Sequence, residues 1–299
     1  MIPREKIVSW FCRKTFIPYR FKKSVVKRLL PEILHDYPFE QDFFGLLYRG
    51  NAANYIDRVV FLCGAYEKFM LFFLRDIVSI FSLEQGVFLD IGANVGNHTL
   101  YMSRLVREVH AFEPYGAVLD ELRNKIRLNR IKNVSIHQFG LSNKITEMPF
   151  YSPQGGNLGT GSFCPGFKAG GTLYKSLPVT TGDLFVHENG VTDIRIIKID
   201  VEGHERQVLE GLTETITAHR PVVIFEMSPE TVRCFSNAHD FKDTFPQDYY
   251  FLRFVKADRD TGGYSLGEYV FASNYRHQDV IAVPGEKYTR LKSTTGVPV

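Results

Sequence analysis

The 299-residue sequence lacks most of the features that mark specialised protein classes. Its four cysteines, Cys12, Cys63, Cys164 and Cys234, include no C-x-x-C pair. That spacing excludes the ordinary zinc modules, argues against a disulfide framework and leaves free thiols in a reducing compartment. No apolar run is long enough to span a bilayer. The most apolar stretch, Val59 to Phe81, is broken by Glu67, Lys68, Arg75 and Asp76 and reads as a buried helix. Basic residues open the chain, but no apolar core of a signal peptide follows them, so the expected location is cytoplasmic. Internal repeats and low-complexity tracts are absent, and a formal charge of +3 is too small to mark a dedicated nucleic-acid binder.

What is present is the composition of an ordinary globular protein, 44% hydrophobic and 23% charged. The length suffices for one good core, or one core with a smaller appendage. Charge is uneven along it. Nine Lys or Arg residues and a single acid, Glu5, lie between Arg4 and Arg28, interleaved with Trp10, Phe11, Phe16, Tyr19 and Phe21. Such a segment is either a peripheral contact for anionic lipid or an acidic polymer, or the solvated face of a helix.

Residues 1–82 read as a helical and irregular extension, with one strand near Phe43 to Tyr48 and a helix over Glu67 to Phe81. A regular rhythm then begins and defines a second unit, 83–299. Val87–Ile91 reads as a buried parallel strand entering a glycine turn, Asn97–Arg107 as a helix, and Glu108–Phe112 as a second strand stopped by Glu113-Pro114. Ala117–Asn129 continues as helix and Val134–Phe139 as a third strand. Met148–Leu184 interrupts the rhythm with Gly155, Gly156, Gly159, Gly161, Gly166, Gly170 and Gly171, and reads as a long loop or hairpin beside the site. Ile194–Asp200, a helix over Glu205–Ala218 and Val222–Glu226 restore it. Tyr249–Val255 and Tyr269–Ala272 are expected to close the sheet as an antiparallel pair. The alternation predicts an α/β fold with a mostly parallel sheet, helices on both faces, and the glycine turn at the carboxyl edge.

Two constellations carry chemistry. In Asp90-Ile-Gly92-Ala93-Asn94-Val-Gly96 the glycines allow a tight turn that brings backbone N–H groups against a ligand. The spacing departs from the G-x-G-x-x-G of dinucleotide folds, and an acid at Asp90 suits a cationic ligand better than a diphosphate. Glu113 ends the second strand, where a carboxylate can accept both hydroxyls of a ribose. Adenosine with a cationic amino-acid tail describes S-adenosylmethionine. The second constellation is Lys198-Ile-Asp200-Val-Glu202-Gly-His204-Glu205. Period-two geometry puts Lys198 and Asp200 on one side of the fourth strand, with Glu202 just beyond its end. His204, with a pKa near neutrality, can take a proton from a hydroxyl; the alternative is that Glu202 and Glu205 merely complement the helix dipole.

Asp-Ile-Gly-Ala-Asn-Val-Gly-Asn-His-Thr-Leu, then Ala-Phe-Glu-Pro, then Ile-Lys-Ile-Asp-Val-Glu-Gly-His-Glu resembles the FkbM family of methyltransferases over roughly Val59 to Ala272. The Lys-Ile-Asp-Val-Glu-Gly string is the specific part; the glycine turn alone indicates a class I methyltransferase. The resemblance implies a Rossmann-like seven-stranded sheet, S-adenosylmethionine as methyl donor, and a hydroxyl acceptor on a sugar, glycan, glycolipid or natural product. By position Asp90, Gly92, Ala93, Asn94 and Gly96 would line the methionine end, Glu113 would hold the ribose, and Gly140, Leu141 and Ser142 would border the adenine. Lys198, Asp200, Glu202 and His204 would face the acceptor. Where the family often carries paired aspartates before the fourth strand, Thr181-Gly182-Asp183-Leu184 keeps one.

Glu226, ending the fifth strand, is a further acceptor-side carboxylate, and Tyr66 and Glu67 could fold over the cofactor. On this reading His204 takes the hydroxyl proton while Asp200, Glu202 and Glu226 orient the acceptor. The same three carboxylates leave a magnesium- or calcium-assisted variant open. The rivals are a nicotinamide-dependent oxidoreductase, disfavoured by the glycine spacing, and a non-catalytic membrane-surface protein of the same fold. No nucleic-acid partner is expected, because an Asn-Pro-Pro-Tyr-type tetrapeptide is missing after the fourth strand.

Overall fold

The computed structural model describes residues 4–12, 14, 16–30, 35–153, 161–165, 171–271 and 277–295. Gly155, Gly156, Gly159, Gly166, Gly170 and Ala272 lie outside them. The extension begins with helices α1 (Arg4–Cys12) and α2 (Tyr19–Leu29), followed by strands β1 (Pro38–Phe43) and β2 (Leu46–Asn51) and helices α3 (Tyr55–Cys63) and α4 (Lys68–Phe81). The strand expected over Phe43–Tyr48 is instead the tip of a β1–β2 hairpin. Phe44 and Gly45 both have positive φ, 52° and 83°, as a two-residue hairpin turn requires. On α4 the apolar side chains Phe69, Met70, Phe73, Leu74 and Ile77 recur at helical spacing and are all buried.

The rhythm from residue 87 is realised as β3 (Val87–Ile91), α5 (Asn97–Met102), β4 (Glu108–Phe112), α6 (Gly116–Leu128) and β5 (Val134–His137). The insertion forms β6 (Gly140–Ser142), β7 (Thr146–Ser152) and β8 (Thr172–Thr181), a three-stranded sheet in which β7 and β8 are an antiparallel hairpin. Then come α7 (Gly182–Glu188), β9 (Ile194–Ile199), α8 (Glu205–Glu210), α9 (Thr213–His219), β10 (Val222–Met227), α10 (Pro229–Arg233), α11 (Ala238–Lys242), β11 (Tyr249–Ala257), β12 (Tyr264–Glu268), β13 (Gln278–Pro284) and α12 (Gly285–Thr295).

The main sheet has eight strands rather than seven, in the order β12-β11-β13-β10-β9-β3-β4-β5. Strands β10, β9, β3, β4 and β5 are parallel neighbours, and the order reverses direction beside β3, which is the doubly wound pattern of the Rossmann-like methyltransferases. The antiparallel closure differs from the expected one. Chain 269–271 is not strand, although Tyr269 N–H still donates to the Phe251 carbonyl at 2.9 Å. The strand that inserts antiparallel between β10 and β11 is β13, and β12 is an added edge.

Alternation along the strands divides two cores. Phe88, Ile196, Ile224 and Ile281 belong to one, shared with Val8, Val26, Phe43 and the α4 side chains. Leu89, Ile197, Phe225 and Ala282 belong to the other, shared with Phe185, Leu209 and Phe241. The extension thus covers one face of the sheet. Polar contacts fix it there: Lys22, 1% exposed, donates to Asp260 Oδ1 at 2.8 Å, and the same carboxylate accepts the Tyr19 N–H at the start of α2. Lys125 of α6 reaches the Tyr48 hydroxyl and the Val95 carbonyl, both at 3.2 Å, with Asp57 3.6 Å away.

The helix expected over Glu205–Ala218 is broken into α8 and α9 at Gly211-Leu212. At the break the Gly211 carbonyl accepts the Asp183 N–H at 2.8 Å, and a Cβ on Gly211 would lie 1.9 Å from the Ser142 carbonyl oxygen. Only glycine lets β6 sit against this turn. Gly211→Ala must therefore push β6 away and is expected to cost about 1–3 kcal/mol, read as a lowered melting temperature. Gly263→Ala, whose Cβ would meet nothing nearer than the Thr261 hydroxyl at 3.4 Å, should stay within about 0.5 kcal/mol.

Candidate active site

Five parallel strands deliver their carboxyl ends to one edge, and the glycine turn after β3 bends across it. Gly92 (φ 82°) and Asn94 (φ 51°) take left-handed conformations, and a Cβ on Gly92 would lie 1.9 Å from the Asp200 carbonyl oxygen. The turn is pinned from below: Gly92 and Ala93 N–H both donate to the Phe112 carbonyl, and Asp200 N–H donates to that of Ile91 at 2.9 Å. Beside it opens a cleft enclosing about 1250 Å³, open solvent at its mouth included.

Gly92, Ala93 and Asn94 line this cleft, with Glu113, Gly140 and Leu141 on the β4–β6 side. Glu113 is held by two backbone donors, Asn94 N–H to Oε2 at 3.0 Å and Tyr115 N–H to Oε1 at 2.8 Å. Burial outweighs those donors and pushes its carboxyl up to about 7. Glu67, Asp200, Glu202 and Glu226 line the opposite side.

Five of the residues expected at the site do not line it: Asp90, Gly96, Ser142, Lys198 and His204. Asp90 lies beneath the turn, 1% exposed; its Oδ2 accepts from Thr99 Oγ1 at 2.5 Å, and its Oδ1 has no hydrogen-bond partner. Gly96 (φ 88°) is filled over by Leu122, which a Cβ there would meet at 2.3 Å. Lys198 is registered directly against Asp90, donates to Asp200 Oδ2 at 2.8 Å, and is kept charged by Asp200, Glu67 and Asp90 against the cost of its burial. His204 is buried under Phe163, with Nε2 2.9 Å from Ser142 Oγ; burial pushes it down to about 4, so the ring is neutral.

The turn that carries Glu202 is organised from inside by Glu205. That fully buried carboxylate accepts from the N–H groups of Val201 and Gly203 and from Thr231 Oγ1 at 2.5 Å. Glu205 is thus a positioning residue for the loop and does not face the cleft.

Other residues enter that the sequence reading did not single out. Asn97, at the head of α5, clamps the Tyr66 backbone, accepting its N–H at 3.3 Å and donating to its carbonyl at 3.0 Å. The clamp brings Tyr66 and Glu67 over the cleft, with Glu67 in a left-handed conformation (φ 44°). His98 Nε2 lies 3.4 Å from Glu67 Oε2 without hydrogen-bond geometry, and burial holds the imidazole neutral. Burial, then the charge of Asp279, pushes Glu67 up to about 8. Asp279 stands opposite Glu226 across the β10–β13 pair, and burial together with its neighbouring acids pushes it up to about 7. His277 Nε2 lies 2.5 Å from Glu226 Oε1 at the cleft mouth. From the insertion, Phe150, Ser162 and Phe163 form a wall, Ser162 Oγ donating to the Glu202 carbonyl at 2.6 Å. Among the described residues no three His, Cys, Asp or Glu side chains converge as a metal site requires, so Asp200, Glu202 and Glu226 do not form one ligand set.

The sequence model of the methyltransferase FkbM domain matches residues 90–251, more than half of the chain. Hexuronic acid methyltransferase AglP of Haloferax volcanii is 30% identical over 143 residues, 47% of this chain and 56% of that protein. Methyltransferase 1 of Beauveria bassiana is 27% identical over 154 residues, 42% of this chain and 57% of that protein. The chain thus spans little more than half the length of these curated relatives. Among solved structures, methyltransferase FkbM from Methylobacillus flagellatus KT aligns with a TM-score of 0.42 at 18% identity, covering 67% of this chain and 44% of that one. With the glycine turn, the two strand-end acids and the Lys-Ile-Asp-Val-Glu-Gly string inside or bordering the matched region, the chain belongs to the FkbM methyltransferase family.

Proposed function

We propose that the cleft binds S-adenosylmethionine and transfers its methyl group to a hydroxyl of a sugar or sugar-bearing acceptor. One observation carries the reading: two buried carboxylates, Asp90 and Glu113, stand at the tips of adjacent parallel strands on either side of a glycine turn that lines the cleft. The residues fit the cofactor. Asp90 lies under the turn with its Oδ1 in no hydrogen bond, and Asp90 and Asp200 together outnumber the cation Lys198, which would favour a cationic amino-acid tail there. Glu113 would accept ribose hydroxyls, and Gly140 and Leu141 would border the adenine. When bound, the cofactor supplies an activated methyl on a sulfonium.

The chain's own residues then have three tasks. The glycine turn, with Tyr66 and Glu67 above it, holds the donor and narrows the cleft. Asp200, Glu202 and Glu226 orient the acceptor hydroxyl; fixed alignment of reacting groups is a large part of what a protein adds to such a displacement. His277, fixed by its contact with Glu226, takes the hydroxyl proton. His204, neutral and engaged with Ser142, packs the insertion against the sheet instead. A sugar acceptor follows the relative named for a hexuronic acid.

Three predictions test this. Calorimetry with S-adenosylhomocysteine should show saturable binding that Glu113→Ala weakens by at least tenfold; an intact protein with no affinity overturns the reading. Because Glu113 titrates near 7 and the anion is the better hydroxyl acceptor, affinity should rise between pH 6 and pH 8, and Glu113→Gln should flatten that dependence. In methyl transfer to a panel of sugars, His277→Ala should lose turnover on the order of a hundredfold with cofactor affinity kept. His204→Ala should leave turnover within a few-fold and lower the melting temperature; the reverse pattern restores His204 as the base.

A further inference from the structure

The first two helices do work that the cleft does not explain. Helix α2 turns Lys22 and Val26 inward, and α1 turns Val8 and Cys12 inward. Their outer surfaces are not the polar ones expected of a solvated face. Trp10 and Phe21 are 63% exposed each, Ile7 47% and Leu29 42%, and Phe16, in the turn between the helices, is 80% exposed. Ile7 and Trp10 are three residues apart on α1, and Phe21 and Arg28 seven apart on α2, so apolar and basic groups share the same stripes. Lys14 sits over the Trp10 ring at 4.4 Å. Arg20, Lys27 and Arg28 are exposed beside them, and Lys23 is half-buried.

The combination of three large exposed rings with a cluster of cations is complementary to one kind of surface. Rings of this kind partition into the headgroup boundary of a bilayer, and the cations are attracted to anionic lipid. A soluble polyanion would use the charges but leave the rings in water. We infer that the α1–α2 face docks the protein on an anionic lipid surface as a peripheral, non-spanning contact. Among the described residues no helix is long and apolar enough to cross a membrane, as this mode of attachment requires of α1 and α2 themselves.

The face is joined to the cleft by a short series of contacts. Tyr19 of α2 lies under the Arg259 guanidinium at 6.0 Å, Arg259 reaches the Tyr55 hydroxyl at 3.5 Å, and the Tyr55 ring meets Tyr66 at 6.2 Å. Tyr55 and Tyr66 both line the cleft. Docking would therefore set the cleft close to the lipid surface.

The test is sedimentation of the full chain with vesicles of phosphatidylcholine alone and with about one third phosphatidylglycerol. Binding is expected to the mixed vesicles only, and to fall as salt is raised. Arg20→Gln with Lys27→Gln and Arg28→Gln should weaken it by roughly a hundredfold. Trp10→Ala with Phe16→Ala and Phe21→Ala should abolish it, both triple variants keeping the parent's melting temperature and S-adenosylhomocysteine affinity because every altered side chain is exposed. Absence of binding to either vesicle, equal binding to both, or binding unchanged by loss of the rings (the mark of a soluble polyanion) overturns the inference. So does a concentration-dependent dimer that the ring variant dissolves, since a second copy would then be the occupant.

Discussion

The absent side chain of Gly92 is the constraint on which the site depends. The Asp200 carbonyl oxygen occupies the place a Cβ on residue 92 would take, so the ends of β3 and β9 can touch. That contact, with the Ile91 carbonyl receiving the Asp200 N–H, ties the glycine turn to the loop bearing Asp200 and Glu202. The two walls of the cleft, the glycine turn and the loop with Asp200 and Glu202, are therefore held in one backbone unit. The Phe112 carbonyl adds β4 to it by receiving both Gly92 and Ala93, which sets Glu113 beside Asn94. If the cleft aligns two reactants as proposed, both walls being anchored to the same few peptide groups would serve that alignment.

Around that unit the protein tolerates an unusual density of buried charge. Asp90 and Lys198 are directly opposed on β3 and β9, and Glu226 and Asp279 on β10 and β13, all on the face that the extension covers. Lys198 is central: one cation answers Asp90, Asp200 and Glu67, and its pairing with Asp200 offsets the cost of its own burial. It does not offset every acid: burial first, and then the neighbouring acids, raise the carboxyls of Glu67 and Asp279 in spite of it. Burial of that kind detracts from stability and is a mark of sites with a task.

The strongly periodic core strands, the glycine turn and both acid-bearing strand tips were legible from the sequence because period-two burial and turn chemistry act locally. What failed did so where long-range contacts decide. Residues 269–271 are strand-like in sequence, yet β12 ends at Glu268 with one further backbone bond from Tyr269, and the sheet is closed by β13 from beyond it. The single helix over Glu205–Ala218 is interrupted at Gly211, whose carbonyl takes the Asp183 N–H and whose Cα packs against β6, contacts remote in sequence. His204 lies off the cleft lining for a nameable reason. Counting alternate residues works up to Asp200, but Glu202 and Gly203 have φ of 54° and 97°, and two left-handed residues in succession redirect the chain. The histidine then points under Phe163, while His277, remote in sequence, meets Glu226.

The extension precedes the regular strand–helix rhythm, yet its parts contribute to the cleft unequally. Tyr55, Ile56, Tyr66 and Glu67 line it, and the Asn97 clamp on Tyr66 makes the first helix after the glycine turn responsible for where they stand. The Asp260 carboxylate, taking both Lys22 and the Tyr19 N–H, fixes α2 to the turn between β11 and β12. Arg259, the next residue back, spans from Tyr19 to Tyr55. Two adjacent side chains of one tight turn thus connect α2 to the cleft wall. Under the proposed reading, a surface that α2 contacts and an acceptor that the cleft contacts are presented to the protein in a fixed relation. An acceptor carried on that surface would meet the cleft with little further search, and the ordering of the N-terminal helices becomes part of how the hydroxyl is positioned.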